Sequence, residues 1–331
     1  MNYTDIYFDK NYGKLYEQAE NGEAIYWTYV GEEGKVINQF IKRKIPCDSK
    51  NEFYDIVTPY GYGGPIIESI NEGYTKQQLV EAFETSFSDY CEKNKIVSEF
   101  VRFHPICNNA LDFQNIYNSQ CIRQTLGTNL KDYEDPVIEE FSKGCRKNIR
   151  RAIANGISWK VTKAPHDIKN FREIYYSTMN RNNASEFYYF NDKYFQDCMN
   201  FFKDNILLVE AIYEEKTIAA GFYFVFEETI HIHLSGTLTE YLYLSPAYIL
   251  RYATTIWGKE NGFSLIHHGG GRSNSVDDSL YLFKKQFAQK TNFDFYIGKK
   301  IWNKKKYDEL CEATGVDKNT DFFPAYRLVT N

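Results

Sequence analysis

Apolar positions in the second half of the chain follow two periods. Residues 157–163 alternate apolar and polar side chains, which predicts a strand. Two stretches at helical spacing follow, 164–180 with Ile168, Phe171, Ile174 and Tyr175 on one face, and 192–203. Runs at 206–213, 217–226 and 230–236, parted by Glu214-Glu215 and Glu227-Glu228, predict a three-stranded meander. Ser245-Pro246 then opens a helix, the serine to cap free N–H groups and the proline for the first turn, and Asn261-Gly262 closes it. A strand at 263–268, a glycine-rich loop, a helix at 279–289 and a strand at 293–298 complete the order β-α-α-β-β-β-α-β-α-β.

The first half repeats much of this order. A helix is expected at 9–20, strands at 24–30, 35–44 and 53–57, and then a loop, PYGYGGP. A long helix capped by Thr75 carries Leu79, Val80, Phe83, Phe87 and Cys91 on one face. It leads to a strand at 96–103, a short helix at 105–113 and a strand at 118–127. The segments EKNKIVSEFVRFHP and GKENGFSLIHHGG are alike in plan, a helix end, a turn and an apolar strand stopping at a corner, so the chain reads as two related units. The expected division is 1–133 and 134–302, with 303–331 packing back on the first unit. Asp135-Pro136 starts the helix after the join. Its stripe Ile138, Phe141, Cys145, Ile149 and Ala152 faces a core, and Lys143, Arg146, Lys147, Arg150 and Arg151 occupy the rest.

Composition narrows the class. At 331 residues two domains are the default, and 43% hydrophobic with 25% charged residues describes a globular protein. A net charge of −5 argues against a surface built wholly for nucleic acid but allows a local basic patch. The first residues lack a basic and apolar leader, and no run of eighteen apolar residues occurs, so a cytoplasmic protein with no membrane span is expected. Seven scattered cysteines without a C-x-x-C pair fit reduced, structural thiols, and no metal site is expected. His231 and His233 share one strand face, but spacing supplies no third ligand.

Three segments together carry a resemblance: YDIVTPYGYGGP, FSKGCRKNIRRA and GFSLIHHGGGRSNSVDDSLYLFKKQFA, the last with an F-K-x-x-F pattern at Phe283, Lys284 and Phe287. The combination resembles the FemABX group of acyltransferases and the wider envelope peptidoglycan and polysaccharide branch of the GNAT superfamily. The implied fold is α/β with mixed sheets, two tandem GNAT-like units of the acyl-CoA N-acyltransferase type packed around a shared cleft. The first unit would serve the acceptor and the second the donor. Members of the group transfer an amino acid from aminoacyl-tRNA to an amine on a nucleotide- or lipid-linked muropeptide, and several carry a helical-hairpin insertion that this chain lacks. The resemblance thus implies an acyl or aminoacyl transfer to an amine on a cell-envelope precursor. An acyl-CoA-dependent N-acetyltransferase acting on an amino sugar nucleotide and a catalytically silent tRNA- or partner-binding module are the other readings. No permanently bound cofactor is implied, and the donor is either aminoacyl-tRNA or acyl-CoA.

Transfer to an amine needs an electrostatic partner for the oxyanion and a route for the amine's proton, but no covalent nucleophile. A lysine of the last segment lies in the transfer site of the relatives, so Lys284 and Lys285 are the catalytic candidates, with Lys285 preferred because Lys284 abuts Phe283. Donor phosphates would meet the helix start Ser245, Pro246 and Ala247 and the corner Gly270, Gly271 and Arg272. The stretch before that helix, Thr239-Glu240-Tyr241-Leu242-Tyr243-Leu244, departs from the Q/R-x-x-G-x-G/A pattern that closes on coenzyme A. Tyr60, Tyr62, Gly63, Gly64 and Arg181 are the acceptor candidates, and His233 and His268 the candidate bases. Lys143, Lys147, Arg150 and Arg151 are candidates for contact with tRNA.

Overall fold

The structure, a computed structural model, describes residues 5–48, 52–275 and 277–328. They form two compact units, one made of Met1–Ile122 with Asp294–Asn331 and the other of Arg123–Phe293. In chain order the first unit contains α1 (Glu17–Glu20), β1 (Gly22–Gly31), β2 (Gly34–Lys44), β3 (Tyr54–Val57), β4 (Ile66–Ile70), α2 (Lys76–Lys93) and β5 (Ile96–Arg102), and β6 (Asn118–Asn129) leads into the second unit. That unit continues with α3 (Pro136–Glu140), α4 (Lys143–Ala154), β7 (Ser158–Lys163), α5 (Lys169–Arg181), α6 (Asp192–Phe202), β8 (Ile206–Tyr213), β9 (Lys216–Phe226), β10 (Thr229–Thr237), α7 (Pro246–Glu260), β11 (Leu265–Gly269) and α8 (Ser279–Lys285). β12 (Thr291–Ile301) leads back to the first unit, which ends with α9 (Lys304–Thr314).

In the first unit the strand order is β1-β2-β3-β5-β12, with β4 also on β2. β3 and β5 are parallel, and α2 is the crossover between them. The Thr75 hydroxyl accepts from Gln78 N–H while the Gln78 side chain reaches back to Thr75 N–H, which fixes the start of α2. Leu79, Phe83 and Phe87 then lie fully buried, each contributing roughly 1.5–3 kcal/mol through burial. Tyr307 and Leu310 of α9, with Tyr326, close a smaller core on Ile45 and Val97.

In the second unit the order is β6-β11-β10-β9-β8-β7, and β10 with β11 is its one parallel pair among the described residues. One face carries α4 and α7 over Val209, Ile218 and Tyr223. The other carries α5, whose Phe171 stacks on Phe222. Gly236 allows α5 to approach, because a Cβ there would lie 2.7 Å from Ile174 O.

The element order read from the second half is the observed one, and the fold class is mixed α/β as expected. Local differences have local causes. The two units divide at 122/123 and 293/294 rather than at 133/134 and 302/303, since β6 continues through Asn129 as the partner of Leu265 on β11. Residues 105–113 form turns instead of a helix: Asn108 takes φ 53°, and the buried Asn109 side chain accepts from His104 N–H and donates to Gly63 O and Pro65 O. The stretch 9–20 splits into one 3-10 helix, Gly13–Tyr16, and the short α1. The single basic helix becomes α3 and α4, because Phe141 is extended and Ser142 caps Cys145 N–H afresh. The break sets Glu140 in the interior, where it accepts from Asn129 N–H, Lys290 N–H and the Thr291 hydroxyl.

A second buried carboxyl, Glu99 on β5, accepts from Asn38, Tyr117 and Trp302, yet burial still pushes its pKa up to about 7. The unfolded carboxyl titrates near 4.3. Between these values the folded state binds more protons, so this contribution to stability is full below about pH 4.3 and is lost as pH rises through about 7. Glu99→Gln is expected to flatten that decline in melting temperature between pH 4.5 and 7. A decline unchanged in the variant would assign it to other groups.

Candidate active site

The strongest concentration of unusual charge lies in the second unit, where β11 ends at the glycine corner and α8 begins. Lys284 on α8 turns its ammonium onto Gly270 O at 2.6 Å. Arg123 donates from one guanidinium nitrogen to Gly271 O at 3.1 Å and Ser273 O at 3.2 Å. Arg251 on α7 is only 5% exposed, donates to the Tyr223 hydroxyl at 2.5 Å, and keeps an Nε with no partner among the described residues. Burial, with Arg251 and Arg123 nearby, pushes the Lys284 pKa down to about 7, while Asp278 opposes the shift. Neither Lys284 nor Arg251 forms an ion pair among the described residues. An anion here would relieve the repulsion.

Asp278 organises the corner. Its carboxylate caps α8 at Tyr281 N–H and accepts from Arg272 N–H and Ser273 N–H at 2.9 Å each. These bonds, led by the one from Tyr281, hold its pKa down to about 2. A Cβ on Gly271 would meet Asp278 Oδ1 at 2.6 Å, so the contact requires glycine. The N–H groups of Arg272 and Ser273 are therefore already engaged by a carboxylate of the chain. The Arg272 side chain is exposed and has no partner among the described residues.

His268 on β11 is buried beside this cluster. The Thr128 hydroxyl donates to Phe287 O at 2.7 Å, so its 2.8 Å contact with His268 requires His268 Nε2–H as donor. Nδ1 is left as a buried acceptor with no partner among the described residues. Burial, then Arg251 and Lys284, hold the ring's pKa well below its usual value, so the histidine is neutral. His233 is neutral too: it contacts the Tyr194 hydroxyl at 2.6 Å, and burial followed by His231 pushes its pKa to about 3. Neither ring is set up to take a second proton at neutral pH.

The remaining sequence candidates occupy several settings. Lys285 is partly exposed, and its ammonium has no partner among the described residues. Ser245 takes φ 59° and ψ 42° and does not cap α7, correcting the expected cap: the left-handed backbone turns its side chain away from the first-turn N–H groups. Its hydroxyl instead accepts from Arg151 at 3.5 Å, which brings the end of the α4 basic face to the start of α7 at Pro246 and Ala247. Lys143, Lys147 and Arg150 are exposed along the same helix, with no acidic partner among the described residues. Arg181 donates to Thr237 O at 2.6 Å and to the Thr239 hydroxyl at 3.1 Å. In the first unit Tyr62 packs edge-on against Tyr7, Phe295 and His104, and Tyr60 O accepts from Tyr12. Gly63 N–H bonds to Arg102 O, and Gly64 takes φ 78° against Val101.

Arg251, Arg123, Thr128 and Asp278 were not among the sequence candidates. Arg251 had a signal: it stands with Ala247, Thr254, Thr255 and Gly258 on the α7 face that is otherwise free of charge. Asp278 stands directly before Ser279, in the position of a helix cap.

Residues 109–214 match the FemAB family. No curated protein matches the chain in sequence. Among solved structures it is similar to FemX, with a TM-score of 0.70 at 12% identity over 93% of this chain and 94% of that one. It is also similar to L-PGS from Bacillus licheniformis, with a TM-score of 0.54 at 15% identity over 86% and 90%. At these identities the structural likenesses concern the fold.

Burial of the Lys284 ammonium gives a test that needs no substrate. An unfolded lysine titrates near 10.4, so between about pH 7 and 10.4 the unfolded state binds more protons and stability rises with pH. Lys284→Met is expected to melt higher than the parent at pH 7 and below, with the gain shrinking toward pH 10. A gain independent of pH would contradict a strained ammonium.

Proposed function

We propose that this FemABX-like acyltransferase moves an aminoacyl group from aminoacyl-tRNA to an amine of a cell-envelope precursor, with Lys284 meeting the charge that develops on the carbonyl oxygen. The observation that carries this reading is the Lys284, Arg251 and Arg123 cluster, positive and without an ion-paired acid on Lys284 or Arg251. Preorganised donors of this kind do most when aimed at charge that exists only in the transition state.

In the proposed reaction the neutral amine attacks the ester carbonyl carbon. A C–N bond forms, and the carbonyl electron pair moves onto oxygen beside the Lys284 ammonium. Collapse breaks the C–O bond to the ribose, and the proton lost by the amine ends on the departing ribose hydroxyl. A lysine with a pKa near 7 suits both roles, hydrogen-bond donor to the oxyanion and relay for that proton. Neutral His268 holds the Thr128 hydroxyl, and Thr128 holds Phe287 O at the end of the segment that carries Lys284.

Two features favour tRNA over coenzyme A as donor. The exposed cations of α4 lead to the start of α7, a surface suited to a phosphate backbone. Before α7, where a pyrophosphate-binding glycine turn would be needed, Thr239–Leu244 forms a 3-10 helix that ends in left-handed Ser245. The match of 109–214 to the FemAB family supports the acceptor class.

Transfer from labelled aminoacyl-tRNA to a muropeptide precursor tests the reading, with acetyl-CoA as the competing donor. Lys284→Met is expected to lower kcat by about 10²–10³. Lys284→Arg should keep part of the activity and lose the decline above about pH 7, since guanidinium does not titrate there. The double variant Lys147→Glu with Arg150→Glu should raise KM for tRNA and flatten its dependence on salt. Transfer from acetyl-CoA alone, or full activity in Lys284→Met, would overturn the proposal.

A further inference from the structure

The first unit contains a recess that the transfer chemistry above does not use. Its volume is about 480 Å³, within the range of roughly 300–1,000 Å³ usual for small-molecule sites. It lies between the turns after β5, the start of β6, and Tyr296 on β12. Gln114, Asn115 and Asn118 line it, and none of their side chains bonds to another described residue. Ser119 joins them with a hydroxyl that is covered from solvent yet has no partner among the described residues. Leu111, 47% exposed, and the Tyr296 ring add apolar surface.

The chemistry of this wall is specific in what it omits. Among the described residues no side chain carrying a formal charge lines it, and the one other phenol, Tyr117, is committed to Glu99. A phosphate, carboxylate or ammonium would find no counter-charge there. Carboxamides and a hydroxyl each offer both a donor and an acceptor, which matches the hydroxyl groups of a sugar. Tyr296 can face the C–H side of a pyranose ring, and Leu111 can meet the methyl of an acyl substituent. We propose that this recess binds an uncharged N-acylated sugar. This goes beyond the transfer reading and does not require turnover.

The test is saturation-transfer NMR on the full chain with N-acetylglucosamine and its β-1,4-linked dimer, without any acyl donor. Alanyl-alanine and uridine monophosphate serve as comparators for a peptide and an anionic ligand. Saturable binding of the sugars in the millimolar range is expected, with neither comparator displacing them. Asn115→Ala with Asn118→Ala should weaken binding at least about fivefold, the effect of losing one or more hydrogen bonds, without lowering the melting temperature. Ser119→Ala should also weaken binding while leaving stability unchanged or higher, because it removes an unpartnered buried hydroxyl. No saturable sugar binding, binding of a comparator in place of the sugar, or sugar binding unchanged in these folded variants would overturn the proposal. Since no transfer is read, an inactive preparation that still binds the sugar would count against the transfer reading alone.

Discussion

The second unit is organised around the cost of keeping a lysine ammonium close to two arginines in a poorly solvated corner. Like charges this near, without ion-paired acids on Lys284 or Arg251, are a standing electrostatic penalty, and the fold carries it. Backbone carbonyls at Gly270 and Gly271, together with the Tyr223 hydroxyl, supply partial neutralisation. Asp278 opposes the shift of Lys284, but its oxygens are occupied by the loop and by the start of α8. The corner is thus structurally complete while remaining electrostatically unsatisfied, which is what a site for transient negative charge requires.

Secondary elements translate that requirement into position. Pairing of β11 with both β10 and β6 aims His267 and His268 to opposite faces, one onto Thr125 and the other onto Thr128. Through its contact with Phe287 O, Thr128 ties the segment after α8 to β6, while Lys284 ties α8 itself to the corner. Farther along the same unit, the left-handed Ser245 leaves α7 without a side-chain cap and offers its hydroxyl to Arg151. The helix dipole and the α4 cations then add with the same sign.

Much of this frame was legible in the sequence, because period and punctuation are local. The meander, the Thr75 start of α2 and the Gly262 stop of α7 each depend on residues within a turn of one another. The site was legible only as a neighbourhood. Lys284 and the glycine corner were visible as residues, but the 2.6 Å contact that places the Lys284 ammonium on Gly270 O is one that spacing cannot express. Asp278 takes N–H groups that the glycine run alone suggested were open to a donor. The helix break at Phe141 and Ser142 sets Glu140 on Lys290 and Thr291, residues some 150 positions away that no local pattern connects. Arg251 could have been found, since a single cation on an otherwise uncharged helix face demands a reason.

The most direct measurement is an NMR titration of the protein carrying lysine labelled with ¹³C at the ε-carbon, following each side chain from pH 5 to 11. One resonance, absent from Lys284→Met, is expected to titrate near pH 7, well below the ordinary lysine value of about 10.4. If the Lys284 resonance instead titrates with the surface lysines, the ammonium is neither strained nor poised, and the account of this corner as a site for developing negative charge is contradicted.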